Sequence, residues 1–244
     1  MLPRTAGELA RFIDHTLLTP EATRAEMLAV CRDASGWCVA AVCISPSWLP
    51  LPKGTLTMSA GKPGVGTALC TVVGFPSGAH ALATKSREAS LAVMNGATEI
   101  DMVVNLGLVR DSCWSDIEAE VRGVRAAVDL AVHDASHAPA STGGRITLKV
   151  ICESAALSDD ELRATCKAAV AGGADFVKTS TGFHKMGGAT ERAVAIMRET
   201  VGDGIGVKAS GGIRTTAVAL GMIAAGATRI GASATRDILA GLPN

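Results

Sequence analysis

The sequence contains no tyrosine and no Cys-x-x-Cys pair, and neither sign of charge predominates in it. Lysine plus arginine and aspartate plus glutamate number 23 each, so no general field attracts nucleic acid or an anionic membrane, and a small molecule is the expected partner. The seven cysteines are odd in number and scattered. That pattern excludes a disulfide framework and a zinc site, and it points to a reducing, cytoplasmic setting. Charges at Arg4, Glu8, Arg11 and Asp14 break up any signal-peptide core, and no later stretch is apolar and long enough to span a bilayer. Gly-x-Ser-x-Gly, a Walker loop and His-Glu-x-x-His are missing as well.

What is present is a core-forming composition, 48% hydrophobic over 244 residues, and a unit that recurs from end to end. The same helix-to-strand junction is written three times: NGATEIDMVVN from Asn95, GGADFVKTS from Gly172 and AGATRIGAS from Ala225. In each, a glycine supplies the left-handed residue that ends a helix, a short polar link follows, and a β-branched run begins. Ser115 with Glu118 and Ser158 with Glu161 have capping-box spacing, and Ile117, Val121, Val124, Val128 and Ala131 recur at helical period. Thr19-Pro20 reads as the opening of a helix whose Met27, Val30, Cys31 and Ala34 share one face.

Eight strand-like runs can be counted, beginning at Ile13, Val39, Leu69, Glu99, Thr147, Asp175, Gly206 and Arg229. Most are nearly continuously apolar, as strands buried on both faces should be, and most are separated by helical segments. The expected fold is α/β, a (β/α)8 TIM barrel with a short N-terminal helix, in one domain over residues 1–244. The competing architecture is an open doubly wound sheet, but the glycine-rich stretch at Gly61 leads into a strand rather than a helix. The stretch from His133 to Gly144 reads as a surface loop.

Against this apolar background the charged residues inside strands stand out. Lys149, Lys178 and Lys208 occur in LKVI, FVKTS and VKAS of three consecutive strands, and neighbouring barrel strands would let their amines converge near the C-terminal mouth, where active sites of this fold lie. Clustered cations and partial desolvation favour a neutral, nucleophilic lysine. The plain alternative is that each lysine snorkels to the barrel end or pairs with a carboxylate. Asp101, mid-strand in EIDMVVN, is the matching carboxylate and a candidate proton relay; it could equally be a structural partner of one lysine. Asp14 in the first strand comes beside the last strand when the barrel closes, as a supporting residue. Glu153 is expected to hold Lys149 in place.

Small-residue turns, STG at Ser180 to Gly182, SGG at Ser210 to Gly212 and GAS at Gly231 to Ser233, follow the last three strands. Backbone N–H groups exposed by glycine there suit a phosphate, although glycine after a strand is also ordinary turn punctuation. His133 and His137 have a spacing that would suit zinc on a helix but no third ligand, so no metal is expected. Cys43 ends the second strand and reads as a buried structural cysteine.

Taken together, IDHTLL, AAVCISP, CTVVGFPSG, EIDMVVN, LKVICE, ADFVKTSTGF, VKASGGIRT and RIGAS resemble the deoxyribose-phosphate aldolase family of class I aldolases over nearly the whole chain. The resemblance implies reversible cleavage of 2-deoxy-D-ribose 5-phosphate to acetaldehyde and D-glyceraldehyde 3-phosphate, in deoxyribose catabolism, with neither cofactor nor metal. It makes Lys178 the Schiff-base residue and Lys208 a cation that favours the neutral form of Lys178. Asp101 would relay protons with a bound water and Lys149, and Gly182, Gly211, Gly212, Gly231 and Ser233 would hold the phosphate. Relatives are often dimers, so a homodimer is implied. His184 and Lys185 stand where many relatives carry smaller residues and are expected to alter the phosphate loop or add charge to it. The C-terminal tyrosine that some members use for proton transfer has no counterpart, which implies either slower proton exchange or exchange that falls wholly to the Asp101 network. Two other readings compete: a Schiff-base aldolase for a longer sugar phosphate, and a catalytically silent sugar-phosphate-binding barrel, from which loss of a reactive lysine is expected.

Overall fold

The computed structural model describes residues 2–56, 66–134 and 145–243. Eight strands, β1 (Ile13–Leu17), β2 (Ala41–Ile44), β3 (Ala68–Val73), β4 (Glu99–Val103), β5 (Thr147–Ile151), β6 (Phe176–Lys178), β7 (Gly206–Ser210) and β8 (Arg229–Ala232), pair in chain order. Every pairing is parallel, and β1 closes the ring against β8, with Asp14 opposite Gly231. This is the expected (β/α)8 barrel. Each strand lies within the apolar run that announced it or overlaps it by all but one residue.

The helices are α1 (Ala6–Ala10), the short element ahead of the barrel, then α2 (Arg24–Gly36), α3 (Leu82–Met94), α4 (Leu106–Arg110), α5 (Trp114–Asp134), α6 (Asp159–Ala171), α7 (Glu191–Val201), α8 (Thr216–Ala224) and α9 (Thr235–Leu239). Among the described residues, the β2–β3 link carries only a 3-10 turn, Pro46–Trp48. Among the described residues, no helix is long and apolar enough to cross a membrane. The three repeated junctions work as their sequences suggest: Gly96, Gly173 and Gly226 take φ of 97°, 100° and 115° between helix and strand, a region open to glycine and closed to most side chains.

Two helix starts differ from expectation. α2 begins at Arg24, not after Thr19-Pro20, because Thr23 and Glu26 form a reciprocal capping box that satisfies two end N–H groups at once. α5 begins at Trp114, which places Ser115 inside its first turn, where it is no cap. The Ser158–Glu161 box forms as read. α5 also runs to Asp134, so His133 is helical, and the loop expected beyond it lies outside the described residues.

Strand alternation divides the buried side chains into two layers. Outward-facing Val42, Leu69, Ile100, Leu148, Val150, Val177, Val207 and Ile230 join Ile117, Val121, Val124 and Val128 of α5 in one large core between barrel and helices. Inward-facing Ala41, Cys43, Cys70 and Val72 make a smaller apolar cluster on the β2–β3 side of the lumen. The charged residues of the lumen lie on the other strands.

Candidate active site

Inward positions on β4 to β8 and β1 bring Asp14, Glu99, Asp101, Lys149, Lys178, Lys208 and Arg229 into one network. Register dictates this: Asp101 is opposite Lys149, Lys178 opposite Lys208, and Lys208 opposite Arg229. Asp101 is the hub. Its Oδ1 accepts a hydrogen bond from Lys149 Nζ at 2.8 Å, and its Oδ2 accepts from Lys178 Nζ at 2.7 Å and Lys208 Nζ at 2.8 Å. Asp14 accepts from Lys208 on one oxygen and from Arg229 Nη1, at 2.6 Å, on the other. Glu99 lies 2.6 Å from Lys149 Nζ and 3.3 Å from Arg229.

Three lysines and Arg229 therefore face three carboxylates in a largely buried space. Burial there opposes charge. For Asp101 the three lysines outweigh it and hold the carboxyl well below its usual range. For Asp14, Arg229, Lys208 and Lys149 do the same. Burial likewise opposes charge on Lys149, but Asp101, Glu99 and Asp14 push it well above the usual lysine range. Lys208 is raised in the same way by Asp101 and Asp14. Lys149 and Lys208 are thus fixed as cations. Lys178, 3% exposed against none for Lys149 and Lys208, is the amine among these that borders open space.

That space is a cavity of about 240 Å³ bounded by the C-terminal ends of β6, β7, β8 and β1 and the turns that follow them, among them Lys178, Thr181 to Phe183, Ser210 to Arg214, Gly231 to Ser233 and Thr16 to Thr19. All five residues expected at the phosphate, Gly182, Gly211, Gly212, Gly231 and Ser233, line it. Gly182, Gly211 and Gly212 have φ of 84°, 90° and 81°, and their N–H groups donate to no described residue. Gly231 lies inside β8 rather than in a turn after it. A Cβ there would come within 2.9 Å of Ser210 Cβ and 3.1 Å of Lys208 Cε, so its bare backbone leaves room for Lys208 to extend. Phe183 leans edge-on against Phe75, ring centroids 5.3 Å apart, as an apolar wall at the mouth.

Several other expectations resolve differently. Glu153 does not hold Lys149; it lies past β5 with both oxygens on Thr181, and Glu99 takes the lysine instead. His184 and Lys185 line a separate concavity with Arg110 and Leu157, and the loop that carries them returns at Gly188 directly against Gly211. Cys43 is a strand residue buried beside Cys70, as a structural cysteine should be. His133 is exposed on α5, and His137 lies outside the described residues. Metal-donor atoms do approach one another in the lumen, those of Cys43, Cys70 and Asp101 falling within 4.8 Å. Four fixed or potential cations around them oppose the entry of another.

The deoxyribose-phosphate aldolases of Kocuria rhizophila and Frankia alni are 49% and 47% identical to this chain over 240 and 237 residues, which is 98% and 97% of it and 98% of each relative. The chain belongs to the deoxyribose-phosphate aldolase family. No family model matches it. Among solved structures, the tetrameric deoxyribose phosphate aldolase of Aeropyrum pernix is similar with a TM-score of 0.79 and 33% identity, over 97% of this chain and 91% of that one. Within this aldolase barrel, Glu99 and Arg229 are network members that sequence reasoning quoted without assigning. Period-two alternation alone places Glu99 on the face of Asp101, but the partners of Arg229 follow only from ring closure.

Proposed function

We propose that the chain is a class I aldolase that reversibly cleaves 2-deoxy-D-ribose 5-phosphate to acetaldehyde and D-glyceraldehyde 3-phosphate, with Lys178 as the Schiff-base residue. The observation that carries this reading is the contrast among the lysines: all three donate to Asp101, and of the three it is Lys178 that borders the cavity.

The Lys178 amine adds to the C1 aldehyde of the open-chain sugar, and loss of water leaves an iminium. The C3 hydroxyl gives up its proton, the C2–C3 bonding pair moves into the iminium, and glyceraldehyde 3-phosphate departs as the enamine forms. Protonation of C2 and hydrolysis of the new iminium release acetaldehyde and restore the amine. Asp101, in contact with Lys178, Lys149 and Lys208 at once, is the group through which protons enter and leave. Lys208 stays cationic beside Lys178, and Asp14 and Lys149 hold Lys208 and Asp101 in place. The N–H groups of Gly182, Gly211 and Gly212, with Ser233, receive the phosphate, and Gly231 keeps the path to Lys208 clear. Neither a metal nor an organic cofactor enters any step. The setting is cytoplasmic, the 244 residues act as one catalytic domain, and the assembly is a homodimer.

The test is intact-mass spectrometry after incubation with 2-deoxyribose 5-phosphate, borohydride and a chelator, followed by peptide mapping. A reduced adduct on Lys178 is expected. Lys178→Leu should give no adduct and lose at least about 1,000-fold in rate, and Lys208→Leu should regain part of its adduct as the pH is raised. Absence of adduct in a wild-type protein that binds phosphate overturns the reading and leaves a sugar-phosphate-binding barrel.

A further inference from the structure

Glu153 is a buried carboxylate that the charge network does not use. It follows β5 with its backbone in the left-handed region, φ 59° and ψ 53°, a conformation that side-chain-bearing residues rarely adopt and that surrounding structure must enforce. The residue is 1% exposed, and its carboxylate is committed to one partner. Oε1 accepts the Thr181 N–H at 3.2 Å, and Oε2 accepts the Thr181 hydroxyl at 2.6 Å. The Thr181 hydroxyl oxygen in turn accepts the N–H of Phe183 at 3.1 Å. One residue further on, Ser154 N–H donates to Thr179 O at 2.7 Å. Residues 153 and 154 thus hold Thr179 and Thr181, and the Thr181 hydroxyl passes that hold on to Phe183 across Gly182.

Inside that grip is Gly182, whose N–H donates to no described residue. A Cβ on Gly211 would lie 3.4 Å from Gly182 Cα, so the clamped loop rests directly against the other glycine turn of the cavity. Both donors of Thr181 are spent on Glu153. Thr181 is therefore a strut for its neighbour and has no donor left for a ligand.

We propose that Glu153 is a positioning residue for the phosphate end of the substrate, clamping Thr181 so that the Gly182 peptide is held against the Gly211–Gly212 turn as one anion-binding surface. The inference rests on the aldolase reading of the cavity. A carboxylate that acted only through its charge would repel a phosphate, and its removal would tighten binding. A clamp predicts the opposite sign.

Glu153→Gln keeps the shape and removes one acceptor; Thr181→Val removes the hydroxyl and leaves the strained backbone of Glu153 alone. In each, KM for 2-deoxyribose 5-phosphate should rise about tenfold, the scale of one lost charge-assisted hydrogen bond, with kcat nearly unchanged. Unphosphorylated 2-deoxyribose should be cleaved as by wild type, and calorimetry with inorganic phosphate should show affinity weakened by about the same factor. The double variant should lose little more than either single one, because both break the same contact. Equal losses on the phosphorylated and unphosphorylated sugars, an unchanged KM, or tighter phosphate binding would each overturn the clamp. Should wild type fail to turn over the phosphorylated sugar, the aldolase reading falls, and phosphate affinity still decides the role of Glu153.

Discussion

Buried lysines occur on both sides of the barrel wall, and the two sites have opposite characters. Outside, Lys85 of α3 is wholly buried and donates to Glu120 Oε1 at 2.7 Å and to the Val103 carbonyl at 2.8 Å. The other oxygen of Glu120 accepts the N–H of Asn105 at 3.3 Å. The pair ties α3 and α5 to the short link between β4 and α4. Inside, three lysines and Arg229 share Asp14, Glu99 and Asp101, with one positive charge in surplus and a cavity beside Lys178. Burial draws Lys85 below the ordinary lysine range despite Glu120 and Glu88 nearby, whereas the carboxylates of the lumen raise Lys149 and Lys208 above it. Depth alone therefore does not distinguish the two sites. A carboxylate shared among several amines, with a cavity beside one of them, does.

Asp101→Asn tests this distinction most severely. It leaves the inner cations with two carboxylates, and the expected cost is about 3–5 kcal/mol of stability together with a 100-fold to 10,000-fold loss, roughly, in single-turnover rate. Near-normal turnover would erase the distinction from the inner side. From the outer side, Glu120→Leu should destabilise by about 3 kcal/mol in urea unfolding, and the pair Lys85→Met with Glu120→Leu should recover most of it. Rates at saturating substrate should stay close to wild type throughout; a rate that fell in step with stability would make the outer pair part of the chemistry. The smallest effect is expected from His15, which neighbours Asp14 in β1 but faces the other way. Its Nδ1 is 2.9 Å from Thr235 Oγ1, and its ring lies edge-on to Trp37.

Burial holds the His15 imidazole below its ordinary value. The unfolded chain thus takes up a proton that the folded one resists. The stabilisation is complete above about pH 6.5 and declines as pH falls from there towards the depressed value. Thermal melts of wild type and His15→Gln over that range should converge on acidification. Parallel curves would show that His15 contributes nothing through its charge.

The strands are legible in the sequence because a parallel barrel buries both faces of each one, which writes a nearly unbroken apolar run that few other structures require. The lysines are legible for the same reason in reverse, as violations inside those runs. The start of α2 is misread because Thr19-Pro20 and Thr23 with Glu26 both spell a helix start, and only the reciprocal hydrogen bonds of the second choose between them. Glu153 is misread because no local signal announces a left-handed glutamate, and that one residue turns its side chain from Lys149 to Thr181. Lys85 passes unnoticed because its helical neighbourhood is polar enough for a lysine to look solvated. Its partner Glu120 is 35 residues away.

Ring closure between β1 and β8 also sets the order in which the site can come into being. Asp14 leaves the ribosome early, while Lys208 and Arg229, separated from it by 194 and 215 residues, are among the last groups to emerge. Until β8 docks, Asp14 has neither cation, and the lumen is open along one seam to water. Contacts so distant along the chain form late, so the nascent polypeptide carries Asp14 and its lysines before the buried network that joins them exists.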